Sequence, residues 1–130
     1  MNCARTHAAA FLVILAASCS TAGCGTPTAP SDTVLTGTVM RGPVQPVCRV
    51  DVPCDAPFSA SFTVEQRDRV VATFLSDSNG RFEVRLPPGS YLVIPSATAP
   101  IISPRAQAKE VIVGPNGPTM VTLRFDTGIR

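Results

Sequence analysis

The sequence predicts an all-β fold, a seven-stranded antiparallel sandwich beginning at residue 33. Two observations carry that class. Short segments rich in Val, Ile, Thr and Phe recur between joints built from Gly, Pro and Asn, the signature of strands and turns. Several of these segments alternate apolar and polar residues with a period of two, and none beyond the first two dozen residues has a helical period of useful length.

The first strand is predicted over Thr33–Met40, TVLTGTVM, where β-branched residues suit a pleated surface. The second runs from Phe58 to Gln66, with Phe58, Ala60, Phe62 and Val64 on one face and Ser59, Ser61, Thr63 and Glu65 on the other. That is the pattern of a sheet with one buried and one wet face. Val70–Leu75 forms the third. Asp77-Ser78-Asn79-Gly80 then predicts a turn, since Asn-Gly tolerates positive φ and Asp77 can bond to local backbone.

Arg81–Leu86 is the fourth strand, directing Phe82, Val84 and Leu86 inward. Pro87-Pro88-Gly89 interrupts the ladder, because proline lacks a donor and Gly89 permits a tight bend. Ser90–Ile94, Lys109–Val113 and Thr119–Phe125 complete the seven, the last two joined through Gly114-Pro115-Asn116-Gly117-Pro118. The link from Pro95 to Ala108 carries the apolar pair Ile101-Ile102, expected to pack over a sheet edge, with an exposed binding patch as the alternative.

Ahead of these strands the chain reads as an export signal. Arg5 supplies a positive flank, Ala8–Ala17 an apolar run of ten residues, and small residues follow. Ten residues rise about 15 Å as a helix, too short for a hydrocarbon core of roughly 30 Å. Thr21-Ala22-Gly23-Cys24 resembles the lipobox of bacterial lipoproteins, with Thr21 where leucine is usual. Lipidation at Cys24 is the expectation. Ala16-Ala17-Ser18-Cys19 is a competing site, and plain secretion with cleavage near Ala22 a third. Several acyl chains, of the palmitate class, would give stable anchoring where one is marginal.

Cysteine parity points the same way. Processing at Cys24 discards Cys3 and Cys19, uses Cys24 as the anchor, and leaves Cys48 with Cys54. The expected organisation is therefore a lipoprotein signal peptide over 1–23, a tether over 24–32, and a domain over 33–130. The tether is polar, with Pro27 and Pro30, as a spacer from a membrane anchor would be. The expected location is the bacterial cell envelope, lipid-anchored and facing the periplasm or exterior, with secretion as the alternative.

Composition excludes more than it assigns. The net charge is +2, and of 11 Lys and Arg residues only Arg5 falls within the leader. No basic run supports nucleic-acid binding. The one histidine, His7, also lies in the leader, so the domain has no Ser-His-Asp or Cys-His arrangement and no histidine-ligated metal. Asp51, Asp55, Asp68 and Glu83 are scattered, and read as solvated charges. No cofactor motif, catalytic set or metal site is predicted.

From Asp77 to Val93 the sequence resembles carboxypeptidase regulatory-like domains, which are transthyretin-like or prealbumin-like Greek-key sandwiches. Gly37-Thr38-Val39, Asp77-Ser78-Asn79-Gly80-Arg81-Phe82, Leu86-Pro87-Pro88-Gly89-Ser90-Tyr91, Val111-Ile112-Val113 and Val121-Thr122-Leu123 carry the likeness. It implies a hairpin that sends Phe82 into the core, and a structural Tyr91 with its ring buried and hydroxyl at the rim. It implies an accessory or binding module rather than an enzyme. The Lys-Asn crosslink of related pilin-like modules is not expected, because the only lysine is Lys109, late in the chain.

The chain departs from that pattern over Pro43–Pro57, a proline-rich insertion. Cys48 and Cys54 can close a seven-residue loop within it, so a structural disulfide is expected. Two thiols cannot complete a tetrahedral zinc site, and the spacing is not CxxC. The expected function is a non-enzymatic envelope module that binds another envelope protein or a cell-wall component. Its candidate surfaces are the Cys48–Cys54 loop and the Ile101-Ile102 link. A carbohydrate-binding module is the alternative, although the chain has no Trp and its Phe58, Phe62 and Phe82 fall in core registers.

Overall fold

A computed structural model describes residue 25 and residues 31–130. The leader, Cys19, Cys24 and residues 26–30 lie outside the described residues. Among the described residues eight strands form: β1 Thr33–Gly42, β2 Ala56–Pro57, β3 Ser61–Gln66, β4 Arg69–Leu75, β5 Arg81–Leu86, β6 Gly89–Pro95, β7 Lys109–Val113 and β8 Thr119–Asp126. Each of the seven predicted segments contains a strand, and the eighth, β2, is a two-residue pairing made by the end of the insertion. One 3₁₀ turn, Pro104–Gln107, lies in the link after β6, where no helical element was expected.

The strands divide into two four-stranded sheets. In the first, β1 is central: β8 runs along one side, while β5 and then β2 share the other. The second has the order β4-β3-β6-β7 and is antiparallel throughout. The apolar faces predicted from the period-two pattern meet between them. Leu35, Val39, Phe62, Val64, Phe82, Leu86, Val93 and Leu123 are all buried there.

Aromatic rings join the layers. Phe62 stacks on Phe74 at 5.0 Å, and Phe74 stacks on Phe82 across the sheets at 4.4 Å. Each such pair contributes about 0.5–1.5 kcal/mol beyond the burial of its area. Phe125 and Phe58 extend the cluster toward one end of the sandwich.

Three sequence expectations need correction. The sandwich is not wholly antiparallel, because β8 pairs parallel to β1 from Leu35↔Thr119 to Gly42↔Asp126. The chain leaves the second sheet after β7 and enters β8 beside the start of β1, so the two strands run the same way. The turn at Asp77–Arg81 is not a ladder hairpin either. β4 belongs to one sheet and β5 to the other, so the turn is a corner between layers. Its local chemistry is as expected: Asp77 Oδ1 accepts from the Asn79 and Arg81 N–H groups, and Gly80 adopts φ 72°.

The third correction concerns Phe58, Ser59 and Ala60, which precede β3 instead of lying in it. They cross from β2 in one layer to β3 in the other, and no ladder satisfies their backbone groups. Ser76, fully buried, does so instead. Its hydroxyl donates to the Phe58 carbonyl at 2.9 Å and accepts from the Ala60 N–H at 2.9 Å. Buried backbone polar groups need such partners.

Gly37 marks another tight approach. A Cβ there would fall onto the Val121 carbonyl of β8 and press against Phe82. Among the described residues, no helix is long and apolar enough to cross a membrane.

Candidate functional site

The strand directions sort the joints into two groups at opposite ends. The chain enters β1 at Thr33, and near that entry lie the β3–β4 turn at Arg67-Asp68, the Pro87-Pro88 joint and the Gly114–Pro118 loop. At the other end β1, β6 and β8 finish and β7 begins. The Pro43–Asp55 loop, the Ser96–Ala108 link and the tail after Asp126 therefore gather together. Ten residues of β1, rising about 3.3 Å each, separate the two ends by about 30 Å.

The far end is held as a unit. Cys48 and Cys54 form the expected disulfide, with Cα atoms 5.4 Å apart. The Val44 N–H bonds to the Cys54 carbonyl at 2.8 Å, closing the base of the loop. Thr127 ties the tail to that base, donating its N–H to the Gly42 carbonyl and its hydroxyl to the Pro43 carbonyl. Arg124 of β8 forms an ion pair with Asp55 at the loop's exit.

Gln107 fastens the link to the same place. Its side-chain NH₂ donates to the Asp126 carbonyl at 2.9 Å and to the Ile102 carbonyl, while its Oε1 accepts from the Asp126 N–H. Arg41 reaches across from β1 to donate to the Pro100 carbonyl at 3.0 Å, with its guanidinium over the Phe58 ring. The Ile101-Ile102 pair is divided by this arrangement. Ile101 packs into the core as expected, whereas Ile102 is half exposed and rests against Gly128.

This end presents exposed apolar side chains interspersed with charged ones. Within the disulfide loop Val50 is 88% exposed and Val52 47%, with Arg49 and Asp51 beside them, and Val47 just ahead of Cys48 is 69% exposed. Beside the loop, a cleft of about 310 Å³ is lined by Asp55, Gln107, Lys109 and Arg124 among others. The Lys109 ammonium lies 5.8 Å from the Phe125 ring centre. Asp126 is held at about 2, well below the usual carboxylate range, by the Arg130 guanidinium first and by the Gly128 N–H second.

The four candidate carboxylates do not converge. Asp51 sits in the disulfide loop and Asp55 pairs with Arg124, both at the far end. Asp68 is in the β3–β4 turn at the entry end, and Glu83 projects from the exposed face of β5. Among the described residues no group of three His, Cys, Asp or Glu side chains is arranged to hold a metal ion. Tyr91 is buried, and its hydroxyl donates to the Pro87 carbonyl at 2.5 Å. Burial, with the Asp32 charge adding to it, raises its pKa.

Sequence reasoning did not identify Gln107 or Ser76. Neither belongs to a motif, and each acts on backbone groups distant in the chain.

No protein-family model matches the chain, and no curated protein matches it in sequence. Solved structures do match in fold. A DUF3823 family protein from Bacteroides ovatus superposes with a TM-score of 0.52 at 17% identity, over 72% of this chain and 44% of that one. One from Parabacteroides merdae gives 0.50 at 16% identity, over 73% and 46%. The Bacillus anthracis TIE protein gives 0.50 at 17% identity, over 74% and 16%. This chain therefore spans less than half the length of each. At these identities the likeness shows the fold alone, a β-sandwich found within longer bacterial proteins.

Proposed function

We propose that this chain is a non-enzymatic interaction or structural module of the bacterial cell envelope, lipidated at Cys24 and binding another envelope protein or a cell-wall component through its far end. We place it with the prealbumin-like, carboxypeptidase regulatory-like sandwiches, on the residues from Asp77 to Tyr91 that carry that resemblance. One observation carries the functional reading. The two segments singled out as binding surfaces, the Cys48–Cys54 loop and the Ile101-Ile102 link, come together at the end opposite the chain's entry at Thr33.

A lipid at Cys24 and a tether of a few residues would hold the Thr33 end near the bilayer. The valine-bearing loop then faces outward, about 30 Å farther away. Closure by the disulfide and by Thr127, Arg124 and Gln107 fixes its shape before binding, which lowers the ordering cost of association. A carbohydrate-binding role has less support. Stacking on sugars needs exposed rings, and Phe58, Phe62, Phe74, Phe82, Tyr91 and Phe125 are all buried.

The anchor is tested by feeding cells an acyl precursor and comparing the full chain with Cys24→Ser and Cys19→Ser. Label should persist in Cys19→Ser and vanish in Cys24→Ser. Label retained in Cys24→Ser would refute this assignment.

A further inference from the structure

We propose that Asn116 is a site of spontaneous covalent modification, converting in the folded protein to aspartate and isoaspartate, while the chemically equivalent Asn79 is protected. The chain has two Asn-Gly pairs in its described part, Asn79-Gly80 and Asn116-Gly117. Asn-Gly is the dipeptide most prone to this reaction, because glycine offers no side chain to hinder the attacking amide. The two pairs sit in opposite structural settings.

The reaction begins when the backbone nitrogen of the glycine, losing its proton, attacks the asparagine side-chain carbonyl carbon. A C–N bond forms, the carboxamide C–N bond breaks, and ammonia leaves. The product is a five-membered succinimide. Water then opens either of its two carbonyls, giving aspartate or isoaspartate. No oxidant or other co-reactant is required beyond water. The glycine N–H must be free, and the local backbone must be able to turn onto its own side chain.

At Asn79-Gly80 neither condition holds. The Gly80 N–H donates to the Asp77 carbonyl at 2.9 Å, and the Asn79 N–H is held by Asp77 Oδ1 at 2.8 Å. The Gly80 carbonyl accepts from the Val39 N–H at 2.8 Å, so the glycine is also pinned to β1. Gly80 is buried against Val39, Pro57 and Thr38. Reaction there requires the corner between the two sheets to open first.

At Asn116-Gly117 the glycine N–H is free and little packs against the segment. Pro115, Asn116, Gly117 and Pro118 are all exposed, and nothing lies within 4 Å of where a Gly117 Cβ would stand. Among the described residues, neither the Gly117 N–H nor the Asn116 carboxamide has a hydrogen-bond partner. The loop is fastened at its base alone, where the Gly114 N–H donates to Thr119 Oγ1 at 3.0 Å. Conversion adds a negative charge at the entry end of the sandwich, and isoaspartate also lengthens the backbone between β7 and β8 by one atom.

The test is peptide mapping by mass spectrometry of the purified full chain, aged in mildly alkaline buffer, folded and in urea. Trypsin releases Asn116 within Glu110–Arg124 and Asn79 within Val70–Arg81, so each site reads out separately. In the folded protein the Glu110–Arg124 peptide should gain the mass of an NH₂-to-OH exchange at least about tenfold faster than Val70–Arg81. In urea the two rates should converge, and Asn116→Gln should abolish the first signal. Equal rates in the folded protein, faster conversion of Asn79, or an Asn116 that reacts only in urea would each overturn the proposal.

Discussion

The Ser76 hydroxyl donates to the carbonyl of Phe58 at 2.9 Å from a fully buried position, joining the end of β4 to the segment that crosses between the sheets. The same oxygen accepts from the Ala60 N–H, and the Ser76 N–H donates to the Ala60 carbonyl at 3.0 Å. One side chain thus takes the place of the ladder bonds that this crossing lacks. Ser76→Ala should destabilise the domain by about 1–3 kcal/mol, the cost of leaving buried backbone groups unsatisfied. Chemical denaturation of the two proteins checks this; an unchanged midpoint would mean that water or a shifted backbone replaces the hydroxyl.

Gly37→Ala should also destabilise, by about 1–3 kcal/mol, as overpacking does in tight cores. The added methyl meets the Val121 carbonyl, a backbone atom that cannot rotate aside, and the Phe82 ring. The parallel β1–β8 pairing must loosen to admit it. Loss of amide-exchange protection in β8 alongside the lowered denaturation midpoint would locate the damage there.

Much of this fold was legible in the sequence. Phe62, Val64, Phe82 and Leu86 are buried because a strand's period of two assigns each to the inner face. The Tyr91 ring is buried, as expected, while the bond from its hydroxyl to the Pro87 carbonyl was not foreseen. The pairing of β1 with β8 was not legible, since it joins the two extremes of the domain and no local pattern specifies which strands meet. Phe58 and Ala60 continue the alternation of β3, yet they leave the ladder because the chain is changing sheets there. The candidate surface was half legible. The cysteines marked the loop and the prolines the link, but only strand directions bring the two together, and Gln107 clamps them through backbone atoms that carry no sequence signal.

The disulfide loop should stabilise the domain without being needed for its fold. Closing seven residues contributes about 2 kcal/mol in the chain-entropy account, and the loop lies outside both sheets. A double Cys48→Ser, Cys54→Ser variant should keep the β-sheet circular dichroism of the parent and unfold at lower denaturant. Loss of the sheet signal in native buffer would show that the loop is required for folding.

Asp126 gives a pH dependence with a definite sign. Its folded pKa is lowered from 3.8 to about 2 by Arg130 and the Gly128 N–H. The ionised form is therefore the one favoured on folding, and the contribution is fully present above the unfolded value. It is lost as pH falls from about 4 toward 2. Asp126 and Arg130 are both well exposed, so the effect on stability is modest. Thermal unfolding of the wild type and Asp126→Asn should converge across that acid window and separate above it. A difference that stays constant from acid to neutral pH would contradict the assignment.

On the proposed function, the end carrying the disulfide loop and the Ile102 link meets the partner. Site-specific photo-crosslinking in cells that make the full chain tests it most directly, with the probe at Val50, at Ile102, or at Pro115 on the opposite end. One shared adduct should form from Val50 and Ile102 and none from Pro115. An adduct from Pro115 with silence at the other two positions would contradict it.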